Sequence, residues 1–68
     1  MTDKQREYLA YINQYVEEWG YAPTYREIGE AMGVGLTTVR MHLFALKDGG
    51  YIRQTSGVAR SIVVLKGG

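Results

Sequence analysis

The sequence predicts a small, mainly α domain of three short helices closed by a β-hairpin. Three observations carry that prediction. Apolar residues recur at helical spacing in three separate stretches, about 3–19, 25–32 and 36–48. Glycines stand just past each stretch, at Gly20, Gly33 and the pair Gly49 and Gly50, where helices most readily stop. After Gly50 the period changes: two short runs rich in β-branched and aromatic residues, about 51–54 and 61–65, flank a loop that contains Gly57.

Thr2 and Gln5 open the first helix as a capping box, each side chain accepting from the other's backbone N–H. The helix should run to Trp19, with Gly20 supplying the left-handed residue that ends it. Leu9, Ile12, Val16 and Trp19 share one face, the one expected to pack on the helices that follow. Tyr8, Tyr11 and Tyr15 run beside it and are expected to border the core with their hydroxyls in water. In the connection 20–23, Tyr21 is expected to cover the end of this helix.

Thr24 and Glu27 repeat the capping box, and Pro23 stops any earlier helix from running in. Ile28, Ala31 and Met32 give the second helix one apolar stripe, and Gly33 ends it. The third helix follows so closely that the two must cross steeply, and Gly29 is the small residue available for the inside of that corner. On the third helix Leu36, Val39, Leu43 and Leu46 cluster on one side, with His42 at its edge. Thr37, Met41 and Phe44 point the other way, flanked by Thr38, Arg40 and Ala45. Threonine hydroxyls can meet bases or phosphates, arginine can bridge guanine O6 and N7, and apolar groups can meet thymine methyls. Met41 and Phe44 are costly choices for plain solvent, so the pattern implies a cover, either DNA or a protein partner.

Ile52, Ile62 and Val64 on the hairpin are expected to bury against the helices. The loop 55–60 between the strands carries Ser56, Gly57 and Arg60, small or basic groups suited to a phosphate backbone. Three helices followed by such a hairpin form a winged helix-turn-helix, here a single domain over 1–68 with the loop as its wing.

Composition narrows the function. The chain of 68 residues has no cysteine and one histidine, so no disulfide framework or Cys-based metal site is expected, and no cofactor. It offers no nucleophile and base constellation and no phosphate-cradling glycine loop, which argues against an enzyme. No apolar run approaches the roughly 20 residues of a membrane span, and no small-molecule ligand is expected. The net charge of +1 hides an asymmetry. Residues 1–30 carry Lys4, Arg6 and Arg26 against six carboxylates, a net of −3, whereas residues 31–68 carry Arg40, Lys47, Arg53, Arg60 and Lys66 against Asp48 alone, a net of +4. The basic half begins at the third helix, which points to a polyanion.

In the order TDKQREYLAYI, PTYREIGEAMGV, HLFALKDGGYI and SGVARSIVVL, the chain resembles the N-terminal DNA-binding domain of the LexA family, the SOS-response repressors of bacteria, over essentially its whole length. The resemblance implies a repressor domain of the bacterial cytoplasm that binds double-stranded DNA. It would set Leu36 to Phe44 in the major groove, the helix start at Tyr25 and Arg26 near a phosphate, and the wing on the adjacent backbone. This chain is one residue shorter between Gly33 and His42, and its outward residues Thr37, Thr38, Arg40 and Met41 differ from the family's familiar base-reading set. The self-cleaving, dimerising half of LexA is absent, so an excised domain and a stand-alone protein both fit, and Lys66, Gly67 and Gly68 suit a linker or a terminus.

The expected mechanism assigns phosphate contacts chiefly to Arg26, Lys47, Arg53 and Arg60, and base contacts to Leu36, Thr37, Thr38, Arg40, Met41 and Phe44. Four phosphate contacts correspond to a slope of log K against log salt of about −3 to −4. Two copies on a palindromic operator would supply specific regulation. The alternative is a protein-docking module anchored by Met41 and Phe44.

Overall fold

The structure, a computed structural model, describes residues 1–66; Gly67 and Gly68, read above as suiting a linker or a terminus, lie outside the described residues. The elements run α1 (Asp3–Trp19), α2 (Tyr25–Met32), α3 (Leu36–Asp48), β1 (Ile52–Arg53) and β2 (Val63–Val64). The two strands pair antiparallel, with Ile52 opposite Val64 and Arg53 opposite Val63. They are shorter than the runs 51–54 and 61–65, because flanking groups find other partners. The Gln54 side chain accepts from the Tyr25 hydroxyl at 2.6 Å, while Ser61 turns its hydroxyl into the loop. At the other end the pairing goes one step further through Leu65 N–H to the Tyr51 carbonyl, 2.8 Å.

Local chemistry sets the helix ends. Thr2 and Gln5 close their capping box at 3.1 and 3.0 Å, and Thr24 and Glu27 close theirs at 3.2 and 2.8 Å. Gly20 and Gly33 sit in the left-handed region and end α1 and α2. At the end of α3, Gly50 N–H donates to Lys47 O and Tyr51 N–H to Leu46 O, a Schellman closure that needs the positive φ of Gly50.

The core is one cluster of Tyr8, Leu9, Ile12, Ala22, Ile28, Val39, Leu43, Leu46, Ile52 and Ile62. Several expectations change here. Val16 and Trp19 are exposed, Trp19 by 56%. A helix of 17 residues is about 25 Å long, as long as the molecule's 26 × 25 × 22 Å envelope, so its last turns overhang a core gathered against its first half. Ala31 is exposed as well, Val64 is only half-buried, and Leu36 leaves the apolar stripe of α3 for the surface. Tyr8, expected at the border of the core, lies inside it: its ring is fully buried and lies 4.6 Å from that of His42. Tyr21 meets Tyr15 of α1 edge-on, 6.0 Å between centroids.

Among the described residues the buried Tyr8 hydroxyl has no hydrogen-bond partner, and burial pushes its pKa up. An unpaired buried hydroxyl is destabilising by about 1–3 kcal/mol. Tyr8→Phe keeps the ring and removes that burden, so the variant is expected to unfold at equal or higher urea concentration, with a gain of up to about 1 kcal/mol.

Candidate nucleic-acid interface

The outward face of α3 begins at a helix start that has no side-chain cap. Gly35 is the N-cap residue and offers no oxygen, so the first N–H groups of α3 remain available to an anion. From there Thr37, Arg40, Met41 and Phe44 are all exposed, the last two by 66% each, and Thr38 is half-buried. Leu36, 44% exposed, projects into a groove of about 360 Å³ between the wing and the starts of α2 and α3. Tyr25, Arg26, Arg40 and Gly57 line the same groove. A smaller depression beside it gathers Arg40, Phe44 and Lys47 with Tyr25 and Gln54. The fold thus brings together residues from α2, α3 and the wing that lie up to three elements apart in the chain.

The Tyr25 hydroxyl, held by Gln54 at 2.6 Å, ties the start of α2 to the end of β1. Arg26 and Arg53 are exposed, and so are Ser56 and Gly57 at the wing's tip, where Gly57 takes φ +77°. The loop braces itself through Ser61: the hydroxyl accepts from Thr55 N–H at 3.1 Å and lies within donating distance of the Thr55 and Val58 carbonyls, 3.0 and 2.8 Å. Sequence reasoning missed this role for Ser61, because a serine at the edge of a β-branched run reads as a strand residue.

Arg60 departs from the expectation that it faces phosphate. Its backbone is left-handed, φ +57°, and its side chain folds back toward the helices. Nη1 donates to Glu27 Oε1 at 3.0 Å, to the Ala22 carbonyl at 3.1 Å and to Tyr15 Oη at 3.1 Å, while Nη2 donates to Glu27 Oε2 at 3.2 Å. The guanidinium also lies 4.7 Å from the centre of the Tyr21 ring. Tyr15 Oη donates to Glu27 Oε2 at 2.9 Å and completes the network.

The Thr24 backbone N–H, together with the Arg60 guanidinium, holds the Glu27 carboxyl down at about 2, and the pair raises the pKa of Arg60. A carboxyl depressed on folding contributes stability that is fully present above its ordinary value near 4.5 and is lost as the pH falls to about 2. Acid titration of thermal unfolding is therefore expected to show a loss across that window in the wild type that Glu27→Gln lacks.

Among the described residues no three His, Cys, Asp or Glu side chains gather as a metal site would require, and no helix is long and apolar enough to cross a membrane.

Comparison with known proteins places the sequence in a family. The sequence model described as the LexA DNA binding domain matches residues 1–61. The LexA repressor of Leptospira biflexa is 42% identical over 67 residues, 98% of this chain and 33% of that protein. That of Shouchella clausii is 46% identical over 66 residues, 96% of this chain and 32% of that protein. That of Bifidobacterium longum is 40% identical over 68 residues, 98% of this chain and 28% of that protein. The chain therefore spans about a third of the length of these curated relatives. With three helices, a two-stranded hairpin and a family match over nearly its whole length, this chain belongs to the LexA DNA-binding domain family.

Proposed function

We propose that the chain is the sequence-reading module of a transcriptional repressor, with α3 in the major groove of double-stranded DNA and the wing on the flanking backbone. The observation that carries this reading is the outward face of α3. Thr37, Arg40, Met41 and Phe44 stand exposed beside a groove whose rim holds Arg26 and the wing, and no side chain caps the helix start. Arg26, Lys47 and Arg53 supply phosphate contacts, which fix register without reading sequence. Thr37, Arg40 and Met41 meet base edges, with Leu36, Thr38 and Phe44 at the margins of the contact. A domain of this size holds one half-site, and two copies about a two-fold axis hold a palindromic operator.

Selection from a random duplex library, followed by a salt titration on the selected site, tests the reading. The expected outcome is a defined half-site bound with a slope of log K against log salt of about −3 for three phosphate contacts. Absence of duplex binding even at low salt would overturn it. That result would leave the 66% exposure of Met41 and Phe44 to the second reading, a protein-docking face.

A further inference from the structure

We propose that Arg60 is a positioning residue, a latch that holds the wing against the start of α2 through Glu27 and so sets the wing's distance from α3 without touching phosphate itself. The proposal rests on the DNA-binding reading above and deepens it.

Four observations support the latch. The first is the backbone of Arg60. Left-handed φ is unusual for a residue with a Cβ and costs about 1–2 kcal/mol, and a glycine would adopt it freely. At φ +57° that strain is offset by what the arginine side chain binds. The second is engagement. Both terminal nitrogens donate to protein oxygens, to the two Glu27 carboxylate oxygens, the Ala22 carbonyl and Tyr15 Oη. A phosphate approaching that end of the guanidinium would have to displace a two-point carboxylate pair, the strongest geometry available to a guanidinium.

The third concerns what else holds the wing. Among the described residues, the hydrogen bonds of loop 55–61 run within the loop, from Thr55 to Ser61 and Val58, except for those of Arg60. Arg60 is thus the loop's hydrogen-bonded tie to the helical layer. The fourth is the double duty of Glu27. The carboxylate that caps α2 through Thr24 N–H, 2.8 Å, also receives Arg60. One residue therefore fixes both where α2 starts and where the wing stands, and these are the two walls of the groove lined by Arg26, Leu36 and Gly57.

The latch and a phosphate contact predict opposite signs. If Arg60 grips phosphate, Glu27 competes with the DNA, so Glu27→Gln tightens binding and Arg60→Ala lowers the salt slope by about 0.9. If Arg60 is a latch, Glu27→Gln weakens binding, because the glutamine keeps the cap's oxygen but loses the charge that holds the guanidinium.

The experiment uses this chain and the duplex chosen by selection, with fluorescence anisotropy over a salt series for wild type, Arg60→Ala, Glu27→Gln and the double variant. Each single variant is expected to bind about fivefold more weakly at fixed salt, with its slope unchanged and the double variant no weaker than either. Backbone amide relaxation of the free chain is read alongside, with the amides of 55–61 expected to become more mobile in both single variants while the helices keep their native spectrum. Tighter binding by Glu27→Gln, a slope reduced by one contact in Arg60→Ala, unchanged affinity in both, or unchanged amides would each overturn the latch. Failure of the wild type to bind any duplex would sink the DNA reading alone, and the tie between wing and helix would still stand or fall on the amides.

Discussion

Gly29→Val is expected to lower the midpoint of thermal unfolding by roughly 12–24 °C, which corresponds to about 3 kcal/mol in a domain of this size. The reason lies at the inside of the α2–α3 corner. A Cβ at position 29 would stand 2.8 Å from the Val34 carbonyl oxygen and 3.4 Å from Cγ2 of the buried Val39. The first neighbour is backbone, and it is not free to retreat, because Val34 N–H donates to the Gly29 carbonyl at 2.9 Å and clamps the turn. Relief must come from opening the angle between the two helices, which would unseat Ile28 and Val39 from the core. A chain of 68 residues has only about 3–10 kcal/mol of stability in total, so the loss consumes a large part of it. Gly35→Ala is the control. Nothing lies within 4 Å of its Cβ position and its φ is −82°, so the expected loss is below about 1 kcal/mol. Circular dichroism on heating checks both, and equal losses for the two variants would refute the steric account.

What the sequence made legible is what a few neighbouring residues decide. Both capping boxes join residues three apart, Thr2 with Gln5 and Thr24 with Glu27, and the glycines that end α1 and α2 act through their own φ. The outward face of α3 was legible for the same reason, since helix phase fixes which way Thr37, Arg40, Met41 and Phe44 point. Where the outcome turned on distant neighbours, the pattern misled. Val16 and Trp19 fit the helical stripe of α1 but lie beyond the reach of a core this small, whereas Tyr8, one position off the stripe, is fully buried. Leu36 is in phase with Leu43, yet as the first residue of α3 it has no helical layer above it and meets the wing groove. Arg60 and Glu27 are separated by 33 positions, and only the closed hairpin brings them together. A basic residue in a wing loop gives no local sign that a carboxylate awaits it, and of the four basic residues assigned to phosphate Arg60 is the one paired with Glu27.

Arg40→Ala is expected to weaken binding to the selected duplex by about 1–3 kcal/mol, roughly 5- to 150-fold, and to relax base preference at one position of the half-site. Arg40 is exposed, and it lies between the wing groove and the depression that holds Phe44 and Lys47. From that position its planar fork can take guanine O6 and N7 together, a geometry that lysine cannot reproduce, so Arg40→Lys should recover little. Because the side chain makes no buried contact, the stability of the free domain should change by no more than about 0.5 kcal/mol, and the loss is then one of recognition. Lys47→Ala provides the contrast. A phosphate contact removed there weakens all sequences alike and lowers the salt slope by about 0.9. Anisotropy on the selected duplex and on variants of each base position separates the two patterns. If Arg40→Ala gave the Lys47 pattern, a uniform loss with a shallower slope, Arg40 would be a backbone contact and reading would fall to Thr37 and Met41. A threonine hydroxyl and a thioether carry far less discrimination than a bidentate guanidinium, so the half-site would then be expected to emerge from selection shorter and more degenerate.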